Sequence, residues 1–264
     1  MQTPRSQRPS DSPTTKKVDQ YNDPHHDYVK YWDGRDYEHQ AEEMAVKRLL
    51  DGRHFEHAVD VGGGYGRLSV LLKQFADKVS LVDPSHKQLT FAADYLQDHP
   101  DIERHEMPAH NLRFADGSVD LVAMIRVIHH LPDPTQELQE IARILRPGGY
   151  AVIEIANYMH ARNRLRHLVH HQKIAAMPVD IRSKAHQRED EIPFVNHNPR
   201  EITRQLSAAG LNVERILSVS NLRSTGLKKV MPKRVMLAIE GVLQPTLAKS
   251  YFGPSVFFLV RKQA

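Results

Sequence analysis

The chain contains no cysteine among its 264 residues. That absence removes disulfides, thiolate zinc sites and cysteine nucleophiles together. Nor does any apolar stretch reach the roughly eighteen residues needed to cross a bilayer. The longest late run, Val256-Phe257-Phe258-Leu259-Val260, is strand-sized. With no apolar leader segment either, a soluble and cytoplasmic protein is expected. Strong charge of one sign is also missing. The formal net charge of +4 is mildly basic, which fits a solvated surface better than an RNA or anionic-lipid partner. Residues 1–18 are almost devoid of apolar side chains and rich in Pro, Ser, Thr and Arg, so they read as a disordered tail. Their prolines argue against the amphipathic helix of an organelle transit peptide. Residues 19–264 then form one domain with room for insertions, and no internal repeat is visible.

What the chain does have is a glycine turn. The apolar run Ala58-Val59-Asp60-Val61 reads as a strand, followed by Gly62-Gly63-Gly64-Tyr65-Gly66. A helix is expected over Arg67 to Phe75, because Leu68, Leu71, Leu72 and Phe75 fall at i, i+3, i+4 and i+7. Glycines at such a strand–helix junction let the backbone approach a ligand and aim amide groups at it. Asp83 closes a second strand, Lys78 to Val82, one βαβ step later, where a carboxylate can accept hydrogen bonds from two ribose hydroxyls. The spacing separates the competing loops. A dinucleotide fingerprint starting at Gly62 needs glycine at position 67, and a P-loop needs Gly-Lys-Ser/Thr at 67–69; the chain has Arg67-Leu68-Ser69.

Further segments follow in order. A third strand is expected at Ile102 to His105. Asp116-Gly117-Ser118-Val119-Asp120-Leu121-Val122 leads into a nearly all-apolar strand suited to burial on both faces, running on to Val127-Ile128-His129-His130-Leu131. The next helix has Asp133 as N-cap, Pro134 at the first helical position and Gln136 at N3. It ends in Arg143-Ile144-Leu145-Arg146-Pro147-Gly148-Gly149, a turn opening the strand Tyr150 to Ile155. Asp60-Val61-Gly62-x-Gly64-x-Gly66 with these later segments resembles the class I S-adenosylmethionine-dependent methyltransferases, in the type 11 branch that includes ubiquinone and menaquinone biosynthesis enzymes. The resemblance covers residues 58–155. It implies a Rossmann-like α/β three-layer sandwich around a seven-stranded, mostly parallel sheet whose last strand is antiparallel, and S-adenosyl-L-methionine as cofactor.

It also implies site residues. Gly62, Gly64 and Gly66 let the methionine part and ribose approach, Asp60 orders that loop or bonds the amino group through water, Asp83 binds the ribose and Ile125 lines the site by its backbone. There is one departure. Where the family usually shows an acidic residue before an alanine, this chain has Met107-Pro108-Ala109-His110, and Pro108 can neither accept nor donate. Adenine recognition then falls to the Ala109 amide and to apolar contact from Met107.

Other helices read consistently. Ser85 and Gln88 form a capping box, Tyr37 to Leu49 an amphipathic helix, and Asn198, Pro199 and Gly210 the bounds of a late helix before the strand Leu211 to Val219. Ser255 to Arg261 is the closing strand. Two segments exceed this plan. Residues 157–197 leave from the carboxyl end of a parallel strand, where open α/β sheets bind ligands, and are expected to form a lid. Residues 223–253 carry an apolar stripe of Val235, Met236, Ile239, Val242 and Leu243, for packing or a dimer contact.

Methyl transfer from a sulfonium expels a neutral thioether, so the protein must mainly align a nucleophile and exclude water. A base is needed only if the acceptor carries a proton. His129 and His130, at the ligand edge, are the catalytic candidates, with structural hydrogen bonding as the alternative. His167, His170 and His171 sit at i, i+3 and i+4 on an expected lid helix, together with His160. With no carboxylate partner they read as a basic surface rather than a metal site. Arg162, Arg164 and Arg166 alternate with them and could meet an anionic substrate group. Tyr28, Tyr31 and Trp32 either fold over the cofactor, where an aromatic face suits a sulfonium, or pack the first helix. The expected acceptor is a small or lipid-like molecule. An RNA methyltransferase and a non-catalytic cofactor-binding protein are the alternatives. RNA is disfavoured because Ile125-Arg126-Val127-Ile128 stands where amino-group-modifying nucleic-acid enzymes carry Pro-Pro and an aromatic.

Overall fold

A computed structural model describes residues 21–22, 32–184, 187 and 192–263. The 1–18 tail, Tyr28 and Tyr31 and part of the expected lid lie outside the described residues. The helix α1 (Asp36–Leu50) precedes strand β1 (Phe55–Val61), a single helical turn α2 (Ser69–Leu72), β2 (Ala76–Asp83), α3 (His86–Tyr95), β3 (Glu103–Glu106) and β4 (Val119–Met124). A 3-10 turn (Ile128–His130), α4 (Thr135–Ile144) and β5 (Leu145–Ala156) follow. The sheet has seven strands in the order β3-β2-β1-β4-β5-β9-β8, where β8 is Leu211–Val219 and β9 is Ser255–Lys262. Strands β1 to β5 pair in parallel, while β9 runs antiparallel to both β5 and β8.

Residue alternation along the strands builds the three layers. Ala58, Val152 and Phe257 point into one core with α1, α2 and α3. Their neighbours Val59, Ile153 and Phe258 point into the other, with α4 and α6 (Pro199–Ala208). Every residue of β4 is buried, as a parallel strand covered on both faces requires.

Several local expectations shift. The helix expected over Arg67 to Phe75 shrinks to Ser69–Leu72, because turn hydrogen bonds such as Gln74 N to Leu71 O take over immediately. Helix α4 begins one residue late: Asp133 Oδ1 accepts from Thr135 N at 3.1 Å, and Pro134 sits at the cap position. The Arg146–Gly149 segment is part of β5, which absorbs it through a register shift against β4. At α3, Ser85 Oγ accepts from Gln88 N at 3.2 Å. The Gln88 amide does not return to Ser85 N, which donates to Asp83 Oδ1 at 2.8 Å instead.

The first insertion leaves and returns at one point, since Asn157 bridges His197 and Tyr158 N donates to His197 O at 2.8 Å. It contains α5 (Ala161–Val169) and the short pair β6 (Val179–Asp180) and β7 (Val195–Asn196). His167 Nε2 is bonded to the Tyr158 hydroxyl at 3.1 Å. His170 caps α5 and His171 lies beyond it at φ 51°, so these histidines do not share one helix face. The second insertion forms α7 (Thr225–Val230) and α8 (Lys233–Thr246), the latter packed on α1. Its expected stripe divides: Met236 is buried, whereas Val235, Ile239 and Val242 are exposed.

Candidate functional site

The site lies at the carboxyl ends of β1, β2 and β4. Gly62 N and Gly63 N both donate to Val82 O, at 2.7 and 3.2 Å, which folds the turn back over β2. Gly62 has φ 69°, and a Cβ there would stand 2.3 Å from Val127 Cγ2. Only glycine satisfies both constraints. Gly64 N donates to Asp83 Oδ2 at 2.9 Å, so the Asp83 carboxylate is fixed by one backbone amide from the glycine turn and one from Ser85. Two backbone donors hold it in the rotamer that faces the turn.

Gly62, Gly64, Asp83, Ala109 and His130 line one cleft of about 540 Å³, the size of a pocket for a small molecule or cofactor. Asp60 and Ile125 border a smaller depression beside it, which also touches Gly62. Gly66 lines neither. A side chain at Gly66 would point at Leu96, its Cβ 2.9 Å from Leu96 Cδ1. Asp60 is buried beneath the turn, accepts from Ser69 Oγ at 2.7 Å, and burial pushes its carboxyl up to about 6 against the lowering effects of Ser69 and Arg67. Met107 is buried, and its sulfur accepts from Arg113 N at 3.2 Å rather than lining the cleft.

Pro108 does line the cleft, with Pro84, Val127 and Leu131 as further apolar walls. Two buried polar side chains face the same space. Gln88 is 1 % exposed and Glu137 6 %. Among the described residues, neither amide atom of Gln88 and not the Oε2 of Glu137 has a hydrogen-bond partner. Buried polar atoms left unpaired are costly, so a ligand that pairs them is favoured. The sequence pattern did signal Gln88, but as half of a capping box; Glu137 carried no signal at all.

At the far wall, His130 Nδ1 lies 2.9 Å from Pro193 O and Nε2 2.6 Å from the Tyr21 hydroxyl. A carbonyl can only accept, so Nδ1 carries the proton and Nε2 accepts from Tyr21. Burial lowers the imidazole to about 4, the Pro193 carbonyl opposing and the Arg126 charge assisting. His129 turns away from the cleft. It is buried against Phe194 with ring centroids 4.6 Å apart, and burial, then His130 and Arg126, hold it well below the usual histidine range. The structure thus separates the two candidates. Tyr21 gave no signal in the sequence, where Tyr28, Tyr31 and Trp32 are expected either to cover the cofactor or to pack the first helix. Trp32 instead stacks under Arg67, 3.9 Å from the guanidinium carbon, and beside Arg126.

Arg126 itself has φ 63°, an uncommon conformation for a non-glycine residue that is held by its surroundings. Its N–H donates to buried Glu154 Oε2 at 3.0 Å and its guanidinium to Glu42 at 3.1 Å. This bend at the end of β4 sets Val127 against Gly62 and starts the turn that presents His130. Residues 21–22 close over the rim, Ser85 Oγ donating to Asn22 Oδ1 at 2.8 Å and to Tyr21 O at 3.1 Å.

Residues 59–153 match the family model described as a methyltransferase domain. The chain is 33 % identical to a ubiquinone biosynthesis O-methyltransferase of Cupriavidus pinatubonensis, over 38 % of this chain and 41 % of that protein. It is 32 % identical to a 27-O-demethylrifamycin SV methyltransferase of Amycolatopsis mediterranei, over 45 % and 47 % respectively. The matched stretch therefore spans less than half the length of either relative. In fold it is similar to a Thermotoga maritima S-adenosylmethionine-dependent methyltransferase, described as a possible histamine N-methyltransferase, at a TM-score of 0.64 and 21 % identity. That match covers 89 % of this chain and 94 % of the other. Together with the strand order and the glycine turn beside Asp83, these matches place a class I S-adenosylmethionine-dependent methyltransferase domain of the type 11 branch at residues 59–153 of the chain.

Proposed function

We propose that the cleft binds S-adenosylmethionine and that the protein transfers its methyl group to a nucleophilic atom of a small or lipid-like acceptor. The observation that carries this reading is the Asp83 carboxylate, fixed by Gly64 N and Ser85 N at the rim of the cleft. Carboxylate oxygens accept more than one hydrogen bond each, so this group can also take two ribose hydroxyls. Gln88 and Glu137 suit the adenine. Its amino-pyrimidine edge offers one acceptor and one amino donor, and an amide with a carboxylate oxygen supplies the complement. They replace the acidic residue missing at Pro108. The prolines and Val127 supply flat apolar contact for the base.

When bound, the cofactor supplies an electrophilic methyl on a sulfonium and leaves as a neutral thioether. The protein's tasks are then alignment, exclusion of water and removal of one proton. Tyr21, Ile192 and Pro193 narrow the opening of the cleft. His130 is the base. Its Nε2 takes the acceptor's proton by way of the Tyr21 hydroxyl, which accepts that proton as it passes its own to the ring. The acceptor atom becomes positive as it gains the methyl, so its proton turns acidic enough for an imidazole with a depressed pKa. Nδ1–H stays on the Pro193 carbonyl and keeps the ring oriented. Residues 157–197 act as the lid, since their returning limb supplies both Ile192 and Pro193 to the cleft. The named activities of the quinone and rifamycin methyltransferases support a small acceptor.

The test is incubation of the enzyme with deuteriomethyl-labelled cofactor and metabolite extract, read by mass spectrometry. A labelled small molecule is expected. Label found solely in RNA, or no label beyond the no-enzyme control across extracts, would contradict the proposal.

A further inference from the structure

Large apolar side chains left in solvent gather on the inserted helices. Leu165, Leu168 and Val169 on α5 are 61–71 % exposed, and Val230 at the end of α7 is 80 % exposed. Helix α8 has the reverse of ordinary amphipathicity. Its inward positions include Glu240 and Gln244, both fully buried, while Val235, Ile239 and Val242 face out at i, i+4 and i+7. The inner polar face is satisfied: Glu240 accepts from the Tyr37 hydroxyl at 2.7 Å and from Ser220 N at 2.8 Å. The apolar stripe is therefore surplus to the monomer's own packing. Exposed apolar surface gathered in this way marks an interaction site.

Within these three helices the exposed charge has one sign, while Asp36 of the neighbouring α1 pairs with Lys233 at 3.6 Å. No acidic residue occurs in Ala161–Val169, and the one acid of α7 and α8 is the buried Glu240. Arg162, Arg166, Lys229 and Arg234 are exposed among the apolar groups. The two insertions adjoin. Ala161 N donates to Phe252 O at 2.9 Å, and burial, then the charges of Arg166, Arg162 and Arg223, hold the His160 imidazole below its usual range. Arg223 in turn reaches Glu38 of α1, which binds Lys228 Nζ at 2.6 Å, so the start of α5 and helix α7 are linked through α1 on one flank.

We propose that this flank docks on an anionic lipid surface. The apolar outer faces of α5, α7 and α8 enter the headgroup region, and the flanking arginines and lysines lie against lipid phosphates. A second copy of the chain fits less well, because it would set cations against cations. RNA also fits less well, because the exposed groups are aliphatic and offer no stacking platform. The insertion that carries α5 also supplies Ile192 and Pro193 to the cleft, so a docked surface stands next to the acceptor's entrance. This docking does not depend on which group the cleft transfers.

The test is flotation of the full chain with phosphatidylcholine vesicles, with and without phosphatidylglycerol, at low and high salt. Binding to the phosphatidylglycerol vesicles alone is expected, weakened by salt. Arg162→Glu with Arg166→Glu should reduce partitioning at least about fivefold per charge. Leu165→Ser with Leu168→Ser should also weaken it, and both pairs should leave S-adenosylhomocysteine affinity unchanged, which shows that the variants are folded. Absence of vesicle binding, equal binding to neutral vesicles, or self-association abolished by the leucine substitutions in place of lipid binding would overturn the assignment. So would salt-sensitive RNA capture without lipid binding.

Discussion

Replacing His130 by glutamine should lower kcat by about 10²- to 10⁴-fold, the range for loss of a positioned general base. Glutamine keeps a polar group near Pro193 but cannot take up a proton. Cofactor affinity should stay close to that of the parent, because Asp83 and the glycine turn remain in place. Tyr21→Phe removes only the hydroxyl that bonds Nε2 at 2.6 Å, and a smaller loss of about tenfold is expected. The pH profile separates catalysis from a structural role. The base works when unprotonated, and burial lowers His130 to about 4 from an ordinary value near 6.5. The acid limb of kcat/KM should therefore fall near pH 4, and the rate should stay flat through pH 6.5. A fall centred near 6.5, or a His130→Gln variant with full turnover, would remove His130 from the mechanism. His129→Gln should instead cost stability, since that ring is buried against Phe194 and away from the cleft.

Asp83→Ala should weaken S-adenosylhomocysteine binding by about 1.5–3 kcal/mol, the scale for hydrogen bonds to a charged group. That is roughly ten- to 150-fold in Kd. The loss has two sources. The ribose hydroxyls lose their acceptor, and Gly64 N and Ser85 N lose the carboxylate that ties the glycine turn to α3. Asp83→Asn distinguishes them, because its side-chain oxygen can still accept from one backbone amide while the charge is gone. Calorimetry should place asparagine between the parent and alanine. Unchanged affinity in the alanine variant would exclude Asp83 from the ribose site.

Much of this architecture was legible because each strand and helix signal agreed with its neighbours. The run at 58–61, the glycines and Asp83 fix one βαβ step, and the strand at 119–124, apolar but for Asp120, suits burial on both faces. Asn198 and Pro199 bound α6 as their chemistry dictates. Helix α2 is shorter than its leucine spacing implies because those leucines serve core contact as readily from turns as from helix. The stripe of α8 was legible as a period but not as a direction. Burial of Glu240 is decided by Tyr37, some two hundred positions away, and a local pattern carries no information about such a partner. The same holds for the cleft. Tyr21, Glu137 and Pro193 meet His130 or the cofactor space through long-range folding, with no spacing rule to announce them. Gly66 shows the converse. Its place in the motif pointed to the ligand, and its space is shaped by Leu96.

The most direct test of the central claim, an adenosyl site between the glycine turn, Asp83, the Gln88 amide and Glu137 Oε2, is calorimetric titration with two ligands. One is S-adenosylhomocysteine and the other its inosine counterpart, which has an oxo group in place of the amine and a proton on the neighbouring ring nitrogen. The parent protein should bind the adenosine form at least about tenfold more tightly, and Glu137→Gln should shrink that preference. No binding of either ligand would contradict the cofactor site itself; equal affinity for both would contradict the reading of the adenine edge by Gln88 and Glu137.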